Sequence, residues 1–322
     1  MEVLHGPEMA TPLDRPSVVT LGVFDGIHRG HAVVIGRAVR AARDHDALAV
    51  AVTFEPHPTV VLSPSNVPPL ITTPERKAEL IGALGVDVLA VMRFDRAFAS
   101  WPAERFARRI LADDLRAIRV VVGENFTFGH RALGTPAVLT ELGGRLGFGA
   151  DAVPLVELRG RTISSSSIRD AVAAGELAWP SEALGRPFAV DGRIVAGAGR
   201  GAGMGYPTAN LDVASGMLLP GRGIYAGRLR LGRRSYGAAI SVGTNPTFGV
   251  EPLHVEAFLL DFDGDLRGRD VSVEFVERLR DEERFDAVDA LVRRMDEDVE
   301  RTRAILGTGL PDAGGRVGRV GG

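Results

Sequence analysis

Cysteine is absent from this 322-residue chain, which excludes a disulfide framework. Lysine is almost as scarce, Lys77 being the only one. A Gly-x-x-x-x-Gly-Lys-[Ser/Thr] loop is therefore impossible, and a P-loop kinase is excluded. Any bound phosphate is expected on arginine, histidine, backbone N–H groups or a metal ion. No apolar run approaches the roughly 20 residues that span a membrane. The start, Met1-Glu2-Val3-Leu4-His5, has no basic stretch followed by an apolar core, so a cytoplasmic protein with no membrane partner is expected. An excess of one charge is missing too. The 38 basic and 41 acidic residues leave a net charge of −3, and such a field gives no reason to expect a nucleic-acid partner. What is present is ordinary for a soluble globular protein: 45% hydrophobic and 25% charged residues. The length suffices for two domains, each with its own core.

The richest segment is Gly22-Val23-Phe24-Asp25-Gly26-Ile27-His28-Arg29-Gly30-His31. It follows the apolar run Val18–Leu21 and precedes a helical pattern from Ala32 to Arg43. A buried strand thus feeds a glycine-rich turn and a helix start, where unpaired N–H groups and the helix dipole favour an anion. Histidines three residues apart share a helical face. Glycines let a phosphate approach the backbone, and the imidazoles can donate to it. The segment resembles the H-x-G-H signature of the nucleotidyltransferase superfamily. Ile163-Ser164-Ser165-Ser166-Ser167-Ile168-Arg169 resembles that superfamily's second signature, a serine-rich helix start carrying an arginine. A zinc pair at His28 and His31 lacks a third ligand nearby. Serines before a helix are ordinarily an N-cap, and Arg169 together with the first motif favours phosphate binding.

Apolar runs at 18–23, 47–54, 87–94, 118–122 and 150–157 alternate with helical patterns at 31–45, 74–84, 102–114 and 136–147. This predicts an α/β fold, a doubly wound, Rossmann-like parallel sheet. Ligands of such sheets bind beyond the carboxyl ends of the strands, and both motifs lie just after strands. Beyond Gly185-Arg186-Pro187 short β-like runs follow at 188–196, 224–231, 235–242, 253–262 and 271–277. They predict a small antiparallel β-barrel. A helix over 286–306, with an apolar stripe of Val288, Leu291, Val292, Met295, Val299 and Ile305, is expected to close it. The expected division is 1–185, 186–306 and a glycine-rich tail, 307–322.

The second part has its own phosphate-type loop, Gly197 to Gly205, with five glycines in nine residues. Such a loop suits close approach of backbone to a ligand. It runs into Tyr206-Pro207-Thr208-Ala209-Asn210, which resembles the P-T-A-N motif of riboflavin kinases. In order follow Asn245-Pro246-Thr247-Phe248-Gly249, the strand Val255-Glu256-Ala257-Phe258-Leu259-Leu260-Asp261-Phe262, and Leu279-Arg280-Asp281-Glu282-Glu283-Arg284-Phe285. Each resembles a segment of the same family. By the period of two, His254, Glu256, Phe258 and Leu260 share one face. A carboxylate among apolar neighbours there is expected to be a stronger base.

Together with Thr53-Phe54-Glu55-Pro56-His57-Pro58 and Val122-Gly123-Glu124-Asn125-Phe126-Thr127-Phe128-Gly129, the chain from 15 to about 306 resembles the bacterial bifunctional riboflavin kinase/FMN adenylyltransferases. That resemblance implies ATP-dependent phosphorylation of riboflavin to FMN, then adenylylation of FMN to FAD with release of pyrophosphate. It implies His28, His31, Ser164, Arg169 and Glu256 as catalytic groups. ATP contacts are implied at Gly22, Phe24, Asp25, Gly26, Gly30, Ser165, Gly199, Gly203, Gly205 and Pro207. Flavin contacts are implied at Phe54, Pro56, Asn125, Phe128, Arg280 and Glu282, and Mg²⁺ near Thr208 and Asn210. The implied partners are riboflavin, FMN and ATP, and the expected assembly is a monomer or weak homo-oligomer. Asp25, in an Asp-Gly turn dipeptide, is also expected to order the turn. Three residues depart from the family pattern: Arg267 stands for the usual tyrosine, Thr135 for aspartate and Met204 for threonine or an aliphatic residue. Two rivals remain. An adenylyltransferase for another nucleotide leaves the second part without a role. A silent flavin or nucleotide sensor would have no need of His28, His31, Arg169 and Glu256 together.

Overall fold

The computed structural model describes residues 1–6, 12–197, 203, 205–244 and 253–307. The chain divides into two compact units. One is Met1–Arg169 with Ala183–Gly185; the other is Asp170–Glu182 with the described residues from Arg186 onward.

In the first unit the elements run β1 (Glu2–His5), β2 (Ser17–Leu21), α1 (Arg29–Asp44), β3 (Leu48–Glu55), α2 (Pro58–Leu62), α3 (Pro74–Ala83) and β4 (Val88–Arg93). They continue through α4 (Arg96–Ala99), α5 (Ala103–Phe106), β5 (Ala117–Gly123), α6 (Pro136–Leu146), β6 (Gly149–Val153), the two-residue strands β7 (Glu157–Leu158) and β8 (Arg161–Thr162), and the start of α7 (Ser165–Ala173). Six strands pair in the order β1-β4-β3-β2-β5-β6, and every pairing is parallel. A sheet covered on both faces reads as continuous apolar sequence, and all five residues of β2 are buried. Val19, Val50 and Val120 face one core with Ile110, Leu111 and Leu139. Their neighbours Val18, Ala49 and Val121 face the other with Val34, Ala38 and Ala42 of α1.

The structure adds to the expected elements and trims some. The edge strand β1 is too short and too polar to show as an apolar run; it pairs with β4. The run at 150–157 ends as a strand at Val153, because Pro154 cannot donate to the ladder. The helix over 102–114 is a short α5 continued by a wider π-type coil over Ala107–Asp114.

In the second unit α8 (Ala178–Leu184) ends at the division, and β9 (Phe188–Val195), β10 (Thr208–Asp212), β11 (Gly223–Leu231), β12 (Arg234–Gly243), β13 (His254–Leu259), β14 (Asp270–Arg280) and α9 (Val288–Gly307) follow. The strands close into a barrel in the order β10-β13-β12-β11-β14-β9, with antiparallel pairing throughout. Strand β10 was not among the expected runs, since the P-T-A-N segment does not alternate apolar and polar residues. Closure removes the sheet edges. The interior packs Phe188 and Tyr225 against Phe275, at centroid distances of 6.1 and 5.5 Å.

Helix α9 covers the barrel with most of the expected stripe, Leu291, Val292, Met295, Val299 and Ile305 being half-buried. Its fully buried residues are Asp298, Thr302 and Leu306, at i, i+4 and i+8. Val288 is 62% exposed. Asp298 is buried as an ion pair: it accepts from Nε and Nη2 of Arg280 at 3.1 and 2.7 Å. Thr302 donates to the Asp298 carbonyl at 2.7 Å.

Candidate functional sites

In the first unit the chain runs from β2 through β3 to β4 on one side, then returns to place β5 on the other side of β2. The topological switch point therefore lies between the carboxyl ends of β2 and β5, where sheets of this kind hold ligands. The turn Gly22–His28 leaves β2 there, and Asn125 and Phe128 follow β5.

That turn is built from the inside. Asp25 is buried and accepts from the Ile71 N–H at 3.0 Å, the Thr72 N–H at 3.1 Å and the Thr72 hydroxyl at 3.3 Å. It also accepts from Arg169 Nη2 at 2.6 Å. Arg169 is held further by its Nε, which donates to the Pro69 carbonyl at 2.7 Å. The Asp25 carbonyl accepts from the Ser165 hydroxyl at 2.9 Å. Asp25 thus joins the turn, the loop before α3 and the start of α7. Gly26 adopts φ +85° and packs against Ile71, a conformation that glycine takes freely. A Cβ on Gly30 would lie 3.1 Å from the His28 ring.

His28 is the N-cap of α1, its Nδ1 accepting from the His31 N–H at 3.2 Å. The two imidazoles stack, with centroids 3.6 Å apart and planes at 17°, and Phe24 meets His31 edge-on at 5.3 Å. His31 Nδ1 is buried without a hydrogen-bond partner among the described residues. Burial holds the His31 imidazole well below its ordinary range, and the charges of His28 and Lys77 push the same way. His31 is therefore neutral at neutral pH and donates through one nitrogen.

Ser164 caps α7, accepting from the Ser167 N–H at 3.1 Å, and Ser167 returns the contact by accepting from the Ser164 N–H at 3.0 Å. The serine run is a reciprocal cap. Phe54, at the end of β3, sits in an aromatic cluster 5.8 Å from Phe94 and 6.2 Å from Phe98. Phe128 is buried and stacks on Phe126 at 5.7 Å, so its ring belongs to the core. Asn125 and Pro56 are exposed. Thr135, where an aspartate was expected, caps α6, accepting from the Val138 N–H at 3.3 Å.

One basic group at this site escaped the sequence reading. Lys77 is buried on α3, and burial lowers its pKa while Asp25 and Glu55 raise it. A lone lysine in sequence reads as a solvated surface charge.

In the second unit β10 pairs with β13 so that Asn210 lies opposite Glu256 and Thr208 opposite Phe258. The Thr208 hydroxyl donates to Glu256 Oε2 at 3.0 Å. Glu256 corrects one expectation. The apolar face of β13 is Val255, Ala257 and Leu259, all buried, while Glu256 points to the outer face and is partly exposed. Period two was right; the core face was the other one. Tyr206 ties the loop's end to α9, donating to Asp296, and this bond raises the phenol pKa to about 12. Its ring meets Phe258 at 4.9 Å. Gly203, Gly205 and Pro207 are exposed.

Arg280 lies where it serves the barrel, locked to Asp298 and donating from Nη1 to the Asp281 carbonyl at 2.9 Å. Glu282 lies against the end of β12, its Oε1 1.8 Å from where a Cβ on Gly243 would stand. Arg267 is exposed and pairs with Asp265 at 2.6 Å. Gly199, Met204 and residues 245–249 lie outside the described residues, as do those from 308.

Thr208, Asn210 and Glu256 bring a hydroxyl, an amide and a carboxylate together, the hard oxygen donors that Mg²⁺ takes alongside water and phosphate. Among the described residues no cluster of three or more His, Cys, Asp or Glu could form an all-protein metal cage.

A nucleotidyltransferase-type α/β unit joined to a closed antiparallel barrel defines a two-part transferase. A sequence model described as FAD synthetase matches residues 10–167, and one described as riboflavin kinase matches 184–306. The chain is 34% identical over 306 residues to a bifunctional riboflavin kinase/FMN adenylyltransferase of Pseudomonas fluorescens, covering 95% of this chain and 98% of that one. Enzymes of the same description in Listeria monocytogenes and Escherichia coli K12 are 33% and 32% identical, each over 91% of this chain and 93% and 94% of theirs. The chain belongs to the bifunctional riboflavin kinase/FMN adenylyltransferase family, enzymes of flavin cofactor biosynthesis. A solved structure titled macrolide-efflux protein, from Streptococcus pneumoniae, superposes with a TM-score of 0.87 at 33% identity, over 94% of this chain and 99% of that one. Among the described residues no helix is long and apolar enough to cross a membrane, and the efflux named in that title stays with that protein.

Proposed function

We propose that residues 1–185 transfer an adenylyl group from ATP to FMN, and that residues 186–306 phosphorylate riboflavin. The two reactions ask for different groups. Riboflavin's 5′-hydroxyl carries a proton, and its attack on the γ-phosphate of ATP is helped by a base. Glu256 takes that role: Oε2 is fixed by the Thr208 hydroxyl, which leaves the other oxygen for the substrate. Mg²⁺ bound with ATP near Thr208 and Asn210 would offset phosphate charge.

FMN needs no base, because its phosphate is already ionised. Its attack on the α-phosphate of ATP forms a new P–O bond and expels pyrophosphate. What helps there is a set of donors fixed before the charge develops. The α1 N-terminus, His28, His31 and the Ser165 segment meet that demand. Arg169 contributes by holding the turn through Asp25, with its guanidinium beside the same site. Phe54 and Asn125 are assigned to the flavin, Phe128 backing the cluster from the core.

What supports this division is one observation: the stacked histidines stand at the switch point of one unit, while Thr208, Asn210 and Glu256 meet in the strand register of the other. The test is the full chain with riboflavin, MgATP and chromatographic separation of flavins. Wild type should yield FMN, then FAD. His31→Ala should keep FMN formation and lose FAD formation by roughly 10²–10³, the cost of one fixed charge stabiliser. Equal loss of both products would instead assign His31 a folding role.

A further inference from the structure

The chain's single lysine lies among the groups of the adenylyltransferase site. Asp25 clamps the N–H groups of Ile71 and Thr72, and Thr73 follows at once as the N-cap of α3. Lys77 is one turn further on. Its buried companion on that helix is Ile81, and Ile81 packs with Phe24 and Ile27 of the turn that carries the histidines. The same face of α3 therefore lays the lysine over that turn.

Four titratable side chains interact with its charge. The charges of Asp25 and Glu55 act on it, and its own charge acts on His31 and His57. These come from the turn, the end of β3, α1 and the N-cap of α2. The charge of Arg169 acts on His57 as well. Among the described residues the ammonium donates no hydrogen bond. Asp25 already accepts from two N–H groups, the Thr72 hydroxyl and Arg169. A buried cation is costly unless it is paired and hydrogen-bonded. The ammonium offers three donors, and the substrates of this site bring phosphoryl oxygens.

We propose that Lys77 is a phosphate-binding residue of the adenylyltransferase site, donating to a phosphoryl oxygen of FMN or of ATP. This rests on reading the first unit as the adenylyltransferase. An arriving phosphate replaces solvent at the head group of this largely buried side chain. If the phosphate is that of FMN, riboflavin entering the same site leaves the ammonium unpaired, and the contact selects FMN over its dephosphorylated precursor.

Because Lys77 is the only lysine, amine acetylation reports on this one side chain, with the N-terminal amine as reference. The full chain is treated with limiting acetic anhydride alone, with FMN, with MgATP and with riboflavin, and the products are mapped by peptide mass. Acetylation of Lys77 should slow roughly tenfold or more with the phosphate ligand it binds, and not with riboflavin. Protection by FMN identifies the flavin phosphate; protection by MgATP identifies the nucleotide. Lys77→Met should raise KM for that same ligand roughly tenfold or more, leave riboflavin phosphorylation unchanged, and be partly rescued by Lys77→Arg. Equal protection by riboflavin, no protection by either phosphate ligand, a Lys77 that resists acetylation in the free protein, or an unchanged KM for both ligands overturns the proposal. The protection experiment uses unmodified protein, so a folding defect in Lys77→Met does not decide it. His31→Ala separates the two readings: if that variant loses FAD formation while Lys77 stays unprotected, only the lysine assignment falls.

Discussion

Arg169 reaches back across 144 residues to Asp25, its Nη2 donating to the carboxylate at 2.6 Å. Side-chain exposure is 11% for the arginine and 1% for the aspartate. The pair therefore does two jobs. It fixes the turn and the loop before α3, and it holds a guanidinium at the edge of the phosphate-type site. Removing one partner of a buried pair leaves an uncompensated charge, which costs about 3–5 kcal/mol. Asp25→Asn should lower the unfolding free energy of the first unit by about that amount and abolish FAD formation, with riboflavin phosphorylation retained. Differential scanning calorimetry with a two-product flavin assay checks it. An unchanged melting profile would remove Asp25 from the frame of the turn.

Acid should weaken the first unit selectively. Burial, with smaller effects from His28 and Lys77, keeps His31 well below the ordinary imidazole range. Burial, then Arg169, lowers His57 as well, with Asp25 opposing and Lys77 reinforcing. In the unfolded chain both rings take protons near the ordinary value of about 6.5. Below that pH the unfolded state binds protons that the folded state refuses. Stability is full above about pH 6.5 and falls as pH drops, by up to about 1.4 kcal/mol per pH unit for the buried His31 and by less for the half-exposed, solvent-screened His57. Thermal melts from pH 7.5 to 5.0 should show the fall, and His31→Gln should flatten it. An identical slope in that variant would deny His31 its part.

The sequence made the two architectures legible because their periodicities differ: continuous apolar runs with helices between, then short alternating strands. Within the site, what was legible was what lies close in sequence, such as the histidines of one turn. What was not legible depends on distant partners. That Arg280 also braces the barrel through Asp298, on a helix beyond the last strand, shows only in the structure. Glu256 was placed on the right strand and period, but which face meets the core is settled by barrel closure. Lys77 reads as a surface charge until the Asp25 clamp seats α3 on the turn.

Glycine at position 243 leaves room for the Glu282 carboxylate. A Cβ there would stand 1.8 Å from Oε1, and since that oxygen ends a flexible side chain, the side chain moves rather than the barrel. Gly243→Ala should leave the barrel's melting temperature nearly unchanged. If Glu282 contacts the flavin as assigned, riboflavin binding should weaken roughly tenfold or more, the value of a hydrogen bond to a charged group. Quenching of riboflavin fluorescence measures this, and Glu282→Gln should reproduce it. Unaltered affinity in both variants would withdraw Glu282 from the flavin site.

Glu256 offers the sharpest separation of the two activities. Its carboxylate is held by Thr208 at 3.0 Å and stands opposite Asn210 across two paired strands, so a carboxylate, a hydroxyl and an amide share one patch of the barrel, as the proposed base and metal–phosphate ligands require. Glu256→Gln preserves the shape and the contact with the Thr208 hydroxyl, and removes the basic oxygen. FMN formation should fall by roughly 10²–10⁴, the range for loss of a general base. Supplied FMN should still become FAD at the wild-type rate, because that reaction starts from an ionised phosphate and uses the other unit. Riboflavin and ATP affinity should change little, since neither depends mainly on this carboxylate. Near wild-type phosphorylation by Glu256→Gln would take the residue out of the mechanism and leave positioning and metal-bound phosphate as the whole of catalysis.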